Sequence, residues 1–158
     1  MLKLLIKMIK TGIITEPEPT VAPSEYPISR GLRGSLAIRQ LDAGSCNACE
    51  LEIQALNNSF YSIERLGVHF VAAPRHADAL LVTGPVSRHM HAALIRTYEA
   101  MPQPKWVIAC GDCAVDGGEW SCSYASCGGV PTVLPVDIMI SGCPPTPTAL
   151  LDTIRQLT

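Results

Sequence analysis

Five short apolar runs, SLAIRQL, VHFVAA, ALLVTG, KWVIAC and VDIMIS, share the chain with helix-length segments at about residues 50–57, 87–100 and 147–157. Strand-like runs interleaved with helices can bury their apolar faces together only if the helices pack on the faces of a sheet. The pattern therefore predicts an α/β fold with a mainly parallel sheet flanked by helices. At 158 residues the chain is about the size of one domain, so a single core is expected.

In open sheets of this kind, ligands gather at the carboxyl ends of the strands. The cysteines follow that rule: Cys46 and Cys49 come after SLAIRQL, Cys110 and Cys113 after KWVIA, and Cys143 after VDIMIS. Three loops distant in sequence are thus able to present thiolates to one point. Seven cysteines is a high and odd number, and the first apolar stretch, LKLLIKMIK, is interrupted by lysines in a way no secretory signal is. Metal binding or redox chemistry is expected rather than a disulfide scaffold. With 16% charged residues and a net charge of -2, the chain offers no basic field for nucleic acid. It carries no GxGxxG, P-loop or Ser-His-Asp pattern, so nucleotide binding and hydrolysis have no local support.

Residues 1–14 read as a short amphipathic helix, with Leu2, Leu5, Ile6, Ile9 and Ile13 near one side and Lys3, Lys7 and Lys10 near another. It is too short and too charged to span a bilayer, which takes about 20 apolar residues. A membrane surface or a neighbouring subunit is the expected contact, with packing on the chain's own domain as a third option. Residues 15–33, rich in proline and without periodicity, read as an extended arm, and residues 34–158 as the α/β domain.

Three chemistries fit the cysteines. A redox dithiol needs only Cys46 and Cys49 at a helix amino terminus and leaves Cys113 and Cys143 unexplained. A structural zinc site takes four thiolates, usually from two close knuckles in a small domain that cannot fold without metal. A 4Fe-4S cluster needs four thiolates, a buried setting and close backbone amides, for which Gly44, Gly111, Gly117, Gly118, Gly142, Pro144 and Pro145 are suitably placed.

The ordered segments GSCNACELEI, APRHADALLVTGPV, CGDCAVDGGEW and LPVDIMISGCPPTP resemble the iron-sulfur small subunit shared by complex I, as its B subunit, and the NiFe hydrogenases. The resemblance runs from about Gly34 to Leu157. It implies a flavodoxin-like domain with one 4Fe-4S cluster on Cys46, Cys49, Cys113 and Cys143. It also implies a large catalytic subunit of the NiFe or complex I D type as partner, together with a ferredoxin-like iron-sulfur subunit and membrane subunits. The implied location is peripheral, on the cytoplasmic side of the cell membrane. Complex I subunits typically carry adjacent cysteines where this chain has C-x-x-C, so it looks more like the membrane-bound, energy-converting hydrogenases of the formate hydrogenlyase and carbon-monoxide-linked types. The 15 residues after Cys143 are too few for the second domain of an uptake hydrogenase small subunit. A complex I-type quinone reductase subunit is the alternative within the family, and a zinc-stabilised assembly module without redox function is the alternative outside it.

Other residues are weighed beside these. Glu52 is a candidate proton relay, whereas Glu50 reads as a helix-capping or subunit-contact carboxylate. Arg75 and His76, before ALLVTG, are candidates for tuning the cluster or for an interface pair. His69 reads as structural, and His89 and His91 lack metal-ligand spacing. Cys110, Cys122 and Cys127 read as small buried or interface residues. A second metal held by Cys110, Cys113, Cys122 and Cys127 would deprive the first site of a ligand.

Overall fold

Leu, Ile and Val dominate the runs that become strands, as their fit to a pleated surface favours. The strands are β1 Leu36–Asp42, β2 Val68–Phe70, β3 Ala79–Thr83, β4 Trp106–Cys110 and β5 Ile138–Ile140. The computed structural model describes residues 2–11 and 34–157. All neighbouring strands are parallel and the order is β2-β1-β3-β4-β5, the flavodoxin-like arrangement of a doubly wound sheet. The α/β expectation is met.

Helices α1 Leu2–Thr11, α2 Ala48–Ala55, α3 Arg88–Ala100, α4 Asp112–Asp116 and α5 Pro147–Arg155 complete the elements. Side chains alternate across the sheet with the period of two that strands impose. Leu36, Ile38, Leu81, Ile108 and Cys110 face one apolar layer with Ile53 of α2 and Leu150 and Ile154 of α5. Leu80, Val82, Val107 and Ala109 face the other, with Leu94 of α3 and Ala114 of α4. β3 is buried along its whole length, as a strand covered on both faces must be. Helices α3 and α5 start on side-chain caps: Ser87 accepts from the Met90 amide and Thr146 from the Ala149 amide, both at 3.3 Å.

The strand ends are aligned. Asp42 pairs with Thr83, Thr83 with Cys110 and Cys110 with Ile140, so the loops after β1, β3, β4 and β5 leave the sheet at one level. That row is what brings the cysteines together.

Two of the apolar runs yield shorter strands than their sequence suggests. VHFVAA contributes only Val68–Phe70 and VDIMIS only Ile138–Ile140, and both lie at an edge of the sheet, where one neighbour rather than two holds the backbone. Helix α2 starts at Ala48, before the expected Glu50, because Asn47 takes a left-handed conformation (φ 73°) and turns the chain into the helix early. Helix α4 was not anticipated. His69, expected to be structural, is exposed on edge strand β2. Residues 12–14 of the expected amino-terminal helix and the arm at 15–33 lie outside the described residues. Leu2, Ile6 and Ile9 of α1 are exposed, and no helix among the described residues is long and apolar enough to cross a membrane.

Leu81, fully buried at the centre of β3, is a direct probe of this core. Leu81→Ala is expected to cost about 2–5 kcal/mol, read as a lower urea midpoint at unchanged slope.

Candidate functional site

The loop after β1 is built around carboxylates and one hydroxyl. Asp42 Oδ1 accepts the amides of Gly44 and Ser45 at 2.8 and 2.7 Å, which folds the chain back at the strand end. Ser45 Oγ accepts the Asn47 amide at 3.1 Å and donates to Glu50 Oε2 at 2.7 Å. Cys49 and Glu50 then fall in the first turn of α2, and both are buried. Thr83, the last residue of β3 and fully buried, donates its hydroxyl to Glu50 Oε1. The Glu50 carboxylate thus ties the cysteine loop to the central strand and sits at a helix amino terminus that favours its charge. The loop after β3 passes so close that a Cβ at Gly84 (φ +74°) would stand 2.3 Å from the Ser45 nitrogen.

The loops after β4 and β5 are laced to each other. The Gly111 amide donates to the Ile140 carbonyl at 2.7 Å and the Asp112 amide to the Gly142 carbonyl at 3.0 Å. The Gly142 amide returns a bond to Asp112 Oδ1 at 2.7 Å. Cys113, in α4, and Cys143, after β5, are held on these paired loops. Gly111 (φ +89°) stands where all three cysteine loops meet. A Cβ there would lie 2.7 Å from Cys49 Sγ and 3.4 Å from the Gly142 carbonyl oxygen, so only glycine leaves room.

The four cysteines implied by the resemblance share one electrostatic neighbourhood. The Cys113 thiol is pushed up from its ordinary pKa, first by burial and then by the negative charge that Cys143, Cys46 and Cys49 would each place beside it, with Asp112 adding to the effect. Cys49 moves the other way. A hydrogen bond from Cys110 stabilises its thiolate against burial and the charges of Glu50 and Asp112. Cys110 is the proton-holding partner of that bond, pushed up by the bond itself and by burial. Cys46 and Cys143 are exposed, Cys113 is half-buried and Cys49 is buried, so the cluster of thiols opens to the surface on one side.

The donor set suits a 4Fe-4S cluster: thiols from three loops and a glycine backbone close against one of the sulfurs. A mononuclear tetrahedral site would need sulfurs about 3.8 Å apart. Among the described residues, no three His, Cys, Asp or Glu side chains group tightly enough to hold a single metal ion. Cys122 is exposed, and Cys127 is half-buried against the α3 and α4 layer.

Not every candidate joins the site. Glu52 is half-buried on α2. Arg75 and His76 are exposed in the 3₁₀ turn Pro74–His76, which precedes the amino end of β3, while the cysteines gather at carboxyl ends. His89 and His91 lie in the first turn of α3. The Glu50–Thr83–Ser45 bonds and the Cys49–Cys110 contact were not anticipated. The available signal was Thr83 itself, the polar residue that closes an otherwise apolar strand beside the cysteine loops.

Sequence and fold comparisons place the chain in a family. The family model NADH ubiquinone oxidoreductase, 20 Kd subunit, matches residues 46–157, and the chain belongs to that family, an iron-sulfur subunit type of multi-subunit hydrogenases and complex I-type oxidoreductases. Formate hydrogenlyase subunit 7 of Escherichia coli (strain K12) is 38% identical over 134 residues, covering 85% of this chain and 52% of that protein. The chain therefore spans about half the length of this relative. A chain of the membrane-bound sulfane sulfur reductase, an archaeal respiratory membrane complex, superposes with a TM-score of 0.69 at 35% identity, covering 78% of this chain and 68% of the other. A chain of an NAD+-reducing [NiFe]-hydrogenase shares the fold, with a TM-score of 0.57 at 16% identity, over 72% of this chain and 85% of the other.

The Glu50 clamp gives a stability test. Thr83→Val removes a hydroxyl donor from a buried carboxylate and is expected to cost about 1.5–3 kcal/mol in chemical denaturation, with Thr83→Ser recovering most of it.

Proposed function

We propose that the chain carries one 4Fe-4S cluster on Cys46, Cys49, Cys113 and Cys143 and exchanges electrons with the NiFe centre of a larger hydrogenase subunit. The observation that carries this reading is that the loops after β1, β4 and β5, which bear these four cysteines, meet at Gly111, against Cys49 Sγ on one side and the Gly142 carbonyl on the other. When bound, the cluster supplies one-electron transfer. The protein's part is to hold the four sulfurs, to keep water from Cys49 by burying it in the first turn of α2, and to fix the loops through Glu50 and Asp112. The exposed side, at Cys46 and Cys143, is the side a catalytic partner has to cover for electrons to pass.

The C-x-x-C spacing and the likeness to formate hydrogenlyase subunit 7 favour the hydrogenase reading over the quinone-reducing one. The family description, which names an NADH ubiquinone oxidoreductase, keeps the quinone reading as its rival. The sequence of the large subunit encoded beside this chain separates them: two CxxC pairs for nickel support hydrogenase, and their absence favours quinone chemistry.

The membrane-bound relative supports a place at the membrane; we put the chain peripherally on its cytoplasmic face. Helix α1, with exposed Leu2, Ile6 and Ile9 and exposed Lys3 and Lys10, offers an anchor there. Replacing Lys3, Lys7 and Lys10 with Glu is expected to abolish co-sedimentation of the chain with anionic vesicles; unchanged co-sedimentation would rule out that anchor.

Cys143→Ser is expected to lose the iron-sulfur absorption and the reduced-state EPR signal, while Cys127→Ser keeps both. The reverse result would overturn the ligand assignment.

A further inference from the structure

We propose that the groove along the outer side of β1, built around Arg39, takes an extended acidic segment of the catalytic subunit. The segment adds as a strand beside Gln40–Asp42 and sets a carboxylate on the Arg39 guanidinium. The inference rests on the reading above, in which a larger subunit covers the Cys46 side of the site, and it names a contact that holds that subunit.

The opening comes from the short edge strand. β2 pairs with β1 only over Leu36–Ile38, and the last backbone bond between them runs from the Val71 amide to the Ile38 carbonyl at 2.9 Å. β1 continues to Asp42 paired with β3 alone. Along a parallel strand the peptide groups of successive residues turn to opposite neighbours. Leu36 and Ile38 bond on the β2 side, and Ala37 and Ala43 on the β3 side. The peptide groups of Gln40 and Asp42 therefore point outward, where no backbone partner stands among the described residues. An unpaired strand edge is a template for another extended chain.

Arg39 supplies the charge. It lines two cavities, each shared with Asp42. One, of about 380 Å³, follows the open edge beside Gln40, Phe70 and Ala72. The other, of about 470 Å³, lies against α3, where Met90, Ala93 and Thr97 fall on one helix face. The Arg39 Nε is shut off from solvent without a hydrogen-bond partner, and Arg39 makes no ion pair among the described residues. A buried donor left unmade is costly, and a guanidinium is met best by a carboxylate. A free anion suits the groove poorly, because the Asp42 carboxylate lines both cavities and opposes it. A peptide strand answers both charges: its carboxylate meets Arg39, while its amides meet Asp42 and the outward carbonyls.

The groove also leads towards the cysteines. Asp42 and Gly44, at its end, open the loop that carries exposed Cys46. A segment lying along β1 thus runs into the surface that the catalytic subunit has to cover.

The test is amide hydrogen exchange of the anaerobically purified, cluster-loaded chain, alone and co-purified with the large subunit encoded beside it. The Gln40 and Asp42 amides are expected to exchange freely in the isolated chain and at least about tenfold more slowly in the complex. Arg39→Gln removes the charge, and Ala93→Trp fills the groove from α3 and leaves β1 as it is. Each is expected to weaken the complex at least about tenfold while the EPR signal of the reduced cluster stays unchanged. Equally fast exchange of the two amides in the complex, or wild-type affinity in either variant, would overturn the proposal. Protection already present in the isolated chain, with or without inorganic phosphate, would overturn it too. Failure of the wild-type chain to bind the large subunit would instead defeat the reading on which it rests.

Discussion

Every strand of the sheet runs in the same direction, and the rows Asp42, Thr83, Cys110 and Ile140 end at one level. A parallel sheet sends each connection back across a face through a helix or loop, so the turns that follow the strands all open at one edge. The site depends on this. Cys46, Cys49, Cys113 and Cys143 are up to 97 positions apart in sequence, yet each lies within a few residues of a strand end. Turning any one strand round would carry its cysteines to the opposite edge.

Alignment of strands brings the loops near one another but does not fix them, and carboxylate contacts do the rest. Glu50 is only 7% exposed, a costly position for a carboxylate unless it is hydrogen-bonded, and the hydroxyls of Ser45 and Thr83 satisfy it. Asp112 does the same between the last two strands, through the Gly142 amide. Two acidic residues next to the candidate ligands thus serve as clamps. They also place negative charge beside Cys49 and, from Asp112, beside Cys113.

The layout of the fold was legible because it rests on local patterns. The central runs ALLVTG and KWVIAC form β3 and β4 over their apolar length, since each is paired on both sides and buried on both faces. The edge runs VHFVAA and VDIMIS are trimmed, because pairing on one side was not visible in their composition. The four cysteines could be chosen from their positions after strands and from the family resemblance. Their supports could not: Thr83 lies 33 positions from Glu50 and Gly142 lies 30 from Asp112, and nothing in either stretch announces the other. The burial of Cys110 was expected, but its contact with Cys49 emerges only when the alternation of β4 is set against the start of α2.

The central claim is that four thiols hold a redox-active iron-sulfur cluster. Anaerobic purification of the wild-type chain, followed by metal analysis and EPR after reduction, addresses it most directly. A 4Fe-4S cluster on these thiols gives iron and acid-labile sulfide in equal amounts, brown colour, and an EPR signal that appears on reduction. A colourless, EPR-silent protein with stoichiometric zinc would contradict it.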